Sequence, residues 1–279
     1  MTGRRSEYIP FNGGFTHVSA WGDPENPALV MWHGLARTGR DFDAAARQLA
    51  QDYFVICPDT LGRGLSCWGD DPATDYSLRN YGDQALSLLE HYKIDRLRWL
   101  GTSMGALIGI CLAGGALKNR ISHLVLNDIG PEVPADALAR IIEYVGSPPD
   151  FANLPAFEEW LREVYAPFGQ NDEAFWRVMA DSSARRLPNG RITNHYDFKI
   201  IGQFIHNAAE LPLWQEYANI SAQTLLTRGE NSDVLPVSIA EKMRCSGPKP
   251  QYHIFENCGH APTFTSSSAI SLLERFFAS

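Results

Sequence analysis

Ser103 lies in the run Gly101-Thr102-Ser103-Met104-Gly105, with a glycine two residues to either side. A serine hydroxyl is a weak nucleophile at neutral pH, so the spacing carries chemistry only if a base takes its proton and a third group orients that base. Downstream, NCGHAP sets His260 between Gly259 and Ala261, small neighbours that let an imidazole swing, and LLTRGENSDVLP sets Asp233 in a loop after an apolar run. Asp233 is the favoured orienting acid because its loop follows the predicted strand nearest in sequence to His260. Asp128, in LNDIGP, also follows an apolar run; it is the alternative acid, or else a turn residue bonding local backbone N–H groups. Glu230 stands further off. The order serine, aspartate, histidine is the one used where a strand–turn–helix junction carries the nucleophile.

An anionic intermediate also needs hydrogen-bond donors. Met104 N–H, just after the serine at a predicted helix N-terminus, is one, and Leu35 N–H, in HGLAR after His33-Gly34, is the other. His33 is read as bracing that loop rather than as a rival base. The remaining histidines, His17, His91, His123, His195, His206 and His253, fall inside predicted elements and are read as structural.

Elements must bring these residues together. RLRWLG is a short apolar run suited to a buried strand, and MGALIGICLAGGAL is long and apolar enough for a buried helix, so Ser103 falls at a sharp turn between them. Glycines at both flanks relieve the crowding that such a turn imposes. SEYIPF and FTHVSAWG, around Asn12-Gly13-Gly14, predict a pair of short strands. PALVMWHG, YFVICPD, RLRWLGTS and ISHLVLNDIGP then alternate with helical patterns. That alternation predicts an α/β fold, a mostly parallel sheet covered by helices on both faces. From Glu132 to Trp214 the rhythm stops. ADALARIIEYV, PAFEEWLREVY and NDEAFWRVMADSSARRL read as successive helices with no convincing strand, and strand and helix resume with AQTLLTRG, VSIAEKMRC, QYHIFENCGH and AISLLERFF. Residues 1–131 and 215–279 therefore read as a core domain, and 132–214 as an inserted helical cap.

With 279 residues, 44% of them hydrophobic, the chain can bury a full core. Its net charge of −8, with no basic block, argues against nucleic acid or an anionic membrane as partner. A small-molecule substrate is expected, and monomer and homodimer stay open. MTGRRSEYIPFNGG lacks the apolar core of a signal peptide and no run is long enough to span a bilayer, so a cytoplasmic location is the expectation. Five scattered cysteines without C-x-x-C spacing suggest neither a disulfide framework nor a metal site.

The motifs HG at Gly34, DTLGRGLS at Asp59 to Ser66, GTSMG around Ser103, GENSDVLP around Asp233 and NCGHAP around His260 together resemble the α/β-hydrolase superfamily over almost the whole chain. Within it the chain looks like the lid-bearing esterase, enol-lactonase and meta-cleavage-product hydrolase group. The resemblance implies an α/β-hydrolase fold and a cofactor-free serine mechanism, with Ser103, His260 and Asp233 catalytic and the Leu35 and Met104 amides holding the oxyanion. Serine at the nucleophile position argues against haloalkane dehalogenases and epoxide hydrolases, which carry aspartate there. GTSMGA, where many relatives read GxSMGG, affects helix packing rather than chemistry.

The pocket is less legible. Trp68 and Arg37 are candidate lining residues, and Arg37 and Arg40 could meet a substrate carboxylate. Among the aromatics Tyr144, Phe151, Trp160, Tyr165, Phe168, Trp176, Phe204 and Trp214, most are expected to form the insertion's own core. Hydrolysis of small, largely apolar carboxylic esters is the leading expectation. The alternatives are C–C bond hydrolysis of dienoic ring-fission products and a slow-turnover ligand receptor.

Overall fold

The computed structural model describes residues 3–279. Its strands are β1 (Arg5–Phe11), β2 (Gly14–Trp21), β3 (Ala28–Trp32), β4 (Phe54–Pro58), β5 (Leu97–Thr102), β6 (Ile121–Asn127), β7 (Asp150–Phe151), β8 (Ala184–Arg186), β9 (Ile192–Asn194), β10 (Gln223–Gly229) and β11 (Gln251–Phe255). Eight of them form one sheet in the order β1-β2-β4-β3-β5-β6-β10-β11. Only β2 runs against the rest, paired with β1 through the Asn12-Gly13 turn and with β4.

All residues of β3 (ALVMW) and β4 (FVICP) are buried, as a parallel sheet covered on both faces requires. One face carries α1 (Asp43–Leu49), and the other α3 (Leu78–His91) and α4 (Met104–Gly114), with α2 (Pro72–Asp75) leading into α3. Helix α4, MGALIGICLAG, is apolar all round because it is buried on nearly every side. Next to it Trp32 and Trp99 stack across β3 and β5 with centroids 5.4 Å apart.

Between β6 and β10 the chain leaves the sheet for a long, mostly helical segment, part of which packs on the main core and part in a cluster of its own. It contains α5 (Ala135–Gly146), α6 (Leu154–Val164), α7 (Glu173–Ser183), α8 (Gly202–His206) and α9 (Trp214–Ala218). Asn153 and Asp172 start α6 and α7 by accepting from the Ala156 and Phe175 amides, 3.0 and 2.8 Å away. The all-helical expectation for this stretch fails in one respect. The predicted helix through Leu187 stops at Ser183, and Ala184–Arg186 pairs with β9, which also pairs with β7, in a small antiparallel sheet. Strands of two or three residues are too short to leave a period-two pattern.

The inserted segment is strapped to the core at several points. Tyr76 donates to Asp197 at 2.7 Å, the Leu78 amide to Glu210 at 2.7 Å, and the Gly259 amide to the Pro167 carbonyl at 2.6 Å. The chain ends with α10 (Val237–Arg244) and α11 (Ser267–Phe277). No helix among the described residues is long and apolar enough to cross a membrane.

Candidate active site

Ser103 follows β5 directly and caps α4 with φ 53° and ψ −117°, a conformation that side-chain-bearing residues rarely adopt. The turn is tight because backbone meets backbone. A Cβ on Gly101 would collide with the Gly105 carbonyl, and one on Gly105 with the Trp32 carbonyl. The two glycines are therefore needed for close approach, and the hydroxyl stands at the carboxyl edge of the sheet, where ligands bind in open α/β folds.

His260 arrives from the loop after β11. Its Nε2 lies 2.9 Å from Ser103 Oγ and its Nδ1 2.9 Å from Asp128 Oδ2. Asp128 is fully buried, follows β6 with φ 58°, and accepts the Gly229 amide on its other oxygen at 2.9 Å. A carboxylate only accepts, so Nδ1 carries a proton, and in the neutral ring Nε2 is left to accept from the serine hydroxyl. Asn127, one residue earlier, ties the neighbourhood together. It donates to Thr102 Oγ1 and to the Pro262 carbonyl, and accepts from Thr227.

The expectation that Asp233 orients the imidazole is corrected by these contacts. Asp233 is 55% exposed and pairs with Arg140 at 2.6 Å at the edge of the cavity. The reason is lateral strand order. β6 lies between β5 and β10, so the residue after β6 emerges beside the serine turn, and nearness in sequence does not report that.

The loop after β3 is held from behind by His33. Thr60 N–H donates to His33 Nε2 at 2.9 Å, which forces the ring proton onto Nδ1, and Nδ1 donates to the Gly34 carbonyl at 2.6 Å. Burial pushes this imidazole down to about 4, against the raising effect of Asp59, so it stays neutral. The Gly34 carbonyl also accepts the Arg37 amide at 3.2 Å. Because the Gly34–Leu35 peptide is planar and trans, Leu35 N–H points within that plane in the direction opposite to the Gly34 carbonyl, where no described residue accepts from it. Leu35 and Met104 both line the cavity above Ser103.

A profile of the Alpha/beta hydrolase family matches residues 29–270. The chain belongs to that family. It is 35% identical over 267 residues to the 3-hydroxybutyrate-oligomer hydrolase of Cupriavidus necator, covering 92% of this chain and 90% of that one. Over a shorter stretch of 100 residues, 35% of each chain, it is 36% identical to 3-oxoadipate enol-lactonase 2 of Acinetobacter baylyi. In three dimensions it resembles an alpha/beta hydrolase from Novosphingobium aromaticivorans with a TM-score of 0.89 and 32% identity, covering 100% of this chain and 99% of that one.

The cavity of this α/β-hydrolase measures about 270 Å³ and holds Ser103 and His260 in its wall. Leu107, Ile129, Val133, Leu138, Ile141 and Phe204 make much of the rest apolar. Of the aromatics singled out in the insertion, Tyr144, Tyr165, Phe168 and Phe204 line it, while Phe151, Trp160 and Trp176 pack in the insertion's own core. Trp68 does not reach it. That ring is 40% exposed with the Arg185 guanidinium stacked on it at 4.6 Å. Arg37 does line the cavity, and Asp41 and Ser183 hold it at 2.9 and 2.8 Å. Arg63, which sequence reading left unassigned, is fully buried beneath the same loop and donates to the Leu35 carbonyl at 2.8 Å. Gln203, also unforeseen, enters the wall from α8. Nothing in the pattern around it marks a short helix inside a loop-rich stretch as part of a site.

Proposed function

We propose that the protein hydrolyses carboxylic esters of short, hydroxylated acyl chains through an acyl-enzyme on Ser103. The observation that carries this reading is the unbroken Asp128–His260–Ser103 hydrogen-bond chain opening into a small, mainly apolar cavity. In the first half-reaction Ser103 Oγ bonds to the ester carbonyl carbon while its proton passes to His260 Nε2. The carbonyl oxygen becomes an oxyanion that the Leu35 and Met104 N–H groups receive, preset by the His33 brace and the start of α4. The C–O bond to the alcohol then breaks, and His260 returns its proton to that leaving oxygen. Water repeats the sequence on the acyl-enzyme, releasing the acid and restoring Ser103. Asp128 holds the imidazole in the required tautomer throughout, and the inserted segment acts as the lid.

Support for the ester, and for a hydroxyacid ester in particular, comes from likeness to the Cupriavidus necator hydrolase along nearly the whole chain. The test is acid release from a panel of short esters, including the 3-hydroxybutanoate dimer. A fluorophosphonate should add its mass to Ser103 and to nothing in Ser103→Ala. Protein that releases no acid from any member of the panel would overturn the proposal.

A further inference from the structure

Gln203 is 3% exposed, and its Oε1 has no hydrogen-bond partner among the described residues. Its side chain sits in a wall that is otherwise apolar at Val133, Leu138 and Phe204. Burying an amide oxygen without a partner costs on the order of 1–3 kcal/mol, and such groups are rare in folded proteins unless something completes them. A half-turn of the amide exchanges its oxygen and nitrogen, so Gln203 can present either an acceptor or a donor at this point.

The cavity's charged groups are already matched. Arg37 is bound to Asp41, and Arg140 to Asp233. What Gln203 lacks is therefore a neutral polar group. Behind it lies a second cavity of about 270 Å³ that shares Val133, Leu138, Gln203 and Phe204 with the first and adds Glu132 and Glu210. Two carboxylates there disfavour the acid end of a substrate and suit a hydroxyl end.

From this we infer that Gln203 is a specificity-determining residue, hydrogen-bonding an oxygen carried on the acyl chain, and that the hydroxyl-bearing end of the substrate faces α8. This rests on the ester-hydrolase reading and sharpens it. A plain alkanoyl chain leaves the amide unpaired, whereas a hydroxyacyl chain completes it, and sites built this way discriminate against the analogue lacking the hydroxyl.

The test compares methyl butanoate with methyl 3-hydroxybutanoate in the full-length protein and in Gln203→Met, which keeps length and removes the amide. In the unaltered protein kcat/KM should favour the hydroxylated ester at least about tenfold. Gln203→Met should lose about that factor on the hydroxylated ester and change less than about threefold on methyl butanoate. Equal effects on both esters, or none on either, would overturn the inference, the latter being what a bound water in place of substrate would give. If Gln203→Met does not fold, the unaltered protein decides alone: equal kcat/KM on the two esters refutes the inference while leaving ester hydrolysis intact. No turnover of either ester refutes the catalytic reading and, with it, the assignment of Gln203.

Discussion

At Asp128 a single atom separates two outcomes. Asp128→Asn keeps the shape and can still accept the Gly229 amide, but it turns an amino group toward His260 Nδ1 and so favours the wrong imidazole tautomer. We expect kcat to fall about 10³-fold or more, as for Ser103→Ala and His260→Ala, with the folded stability little changed. Asp233→Asn, at an exposed ion pair, should leave kcat within about twofold. Initial rates on one short ester compare all four variants, and the reverse ranking of the two aspartates would refute the assignment. Ser103 was readable because its flanking glycines relieve the crowding of a tight turn, and His260 because its small neighbours leave the imidazole room to swing. Asp128 was visible as a strand-end acid, but choosing it over Asp233 required knowing which strands are neighbours, information that resides in lateral order rather than in spacing.

The elements around the serine turn are held by backbone against backbone, which leaves little room to relax. Gly105→Ala drives a methyl into the Trp32 carbonyl, so we expect a loss of roughly 2 kcal/mol or more in urea unfolding, or failure to accumulate folded protein. The loop after β3 carries a pH dependence. Unfolded, the His33 imidazole takes a proton below its ordinary 6.5; folded, only below about 4. Between those values the unfolded state binds the extra proton, so stability falls as pH drops through that window, by on the order of 3 kcal/mol. The contribution is fully present above it. Thermal midpoints across this range should slope less in His33→Asn than in the unaltered protein, and equal slopes would show that His33 is not the group responsible. The strand–helix alternation and the N-terminal hairpin were legible because whole runs of side chains carry their period. The β7-β9-β8 sheet was not, since its pairing is set by tertiary contact at Ser183 and His195 rather than by any pattern in ARR or ITN.

For the molecule as a whole, the enclosed volume sets what can react. A cavity of about 270 Å³ lies at the small end of ligand sites, and the segment above it is fastened to the core through Asp197, Glu210 and Pro167. Tributanoylglycerol and the hydroxybutanoate dimer should be cleaved at rates at least about tenfold above long-chain triacylglycerols under equal dispersion, as read by pH-stat; a preference for the long chains would mean that the segment over the cavity swings away entirely. The imidazole and the hydroxyl that it meets stand 157 positions apart along the chain. On the proposed mechanism, a nascent polypeptide leaving the ribosome is consequently inert until His260 has emerged and docked beside Ser103. By the same logic, two fragments divided ahead of β10 would each be silent, and turnover on mixing would report their association.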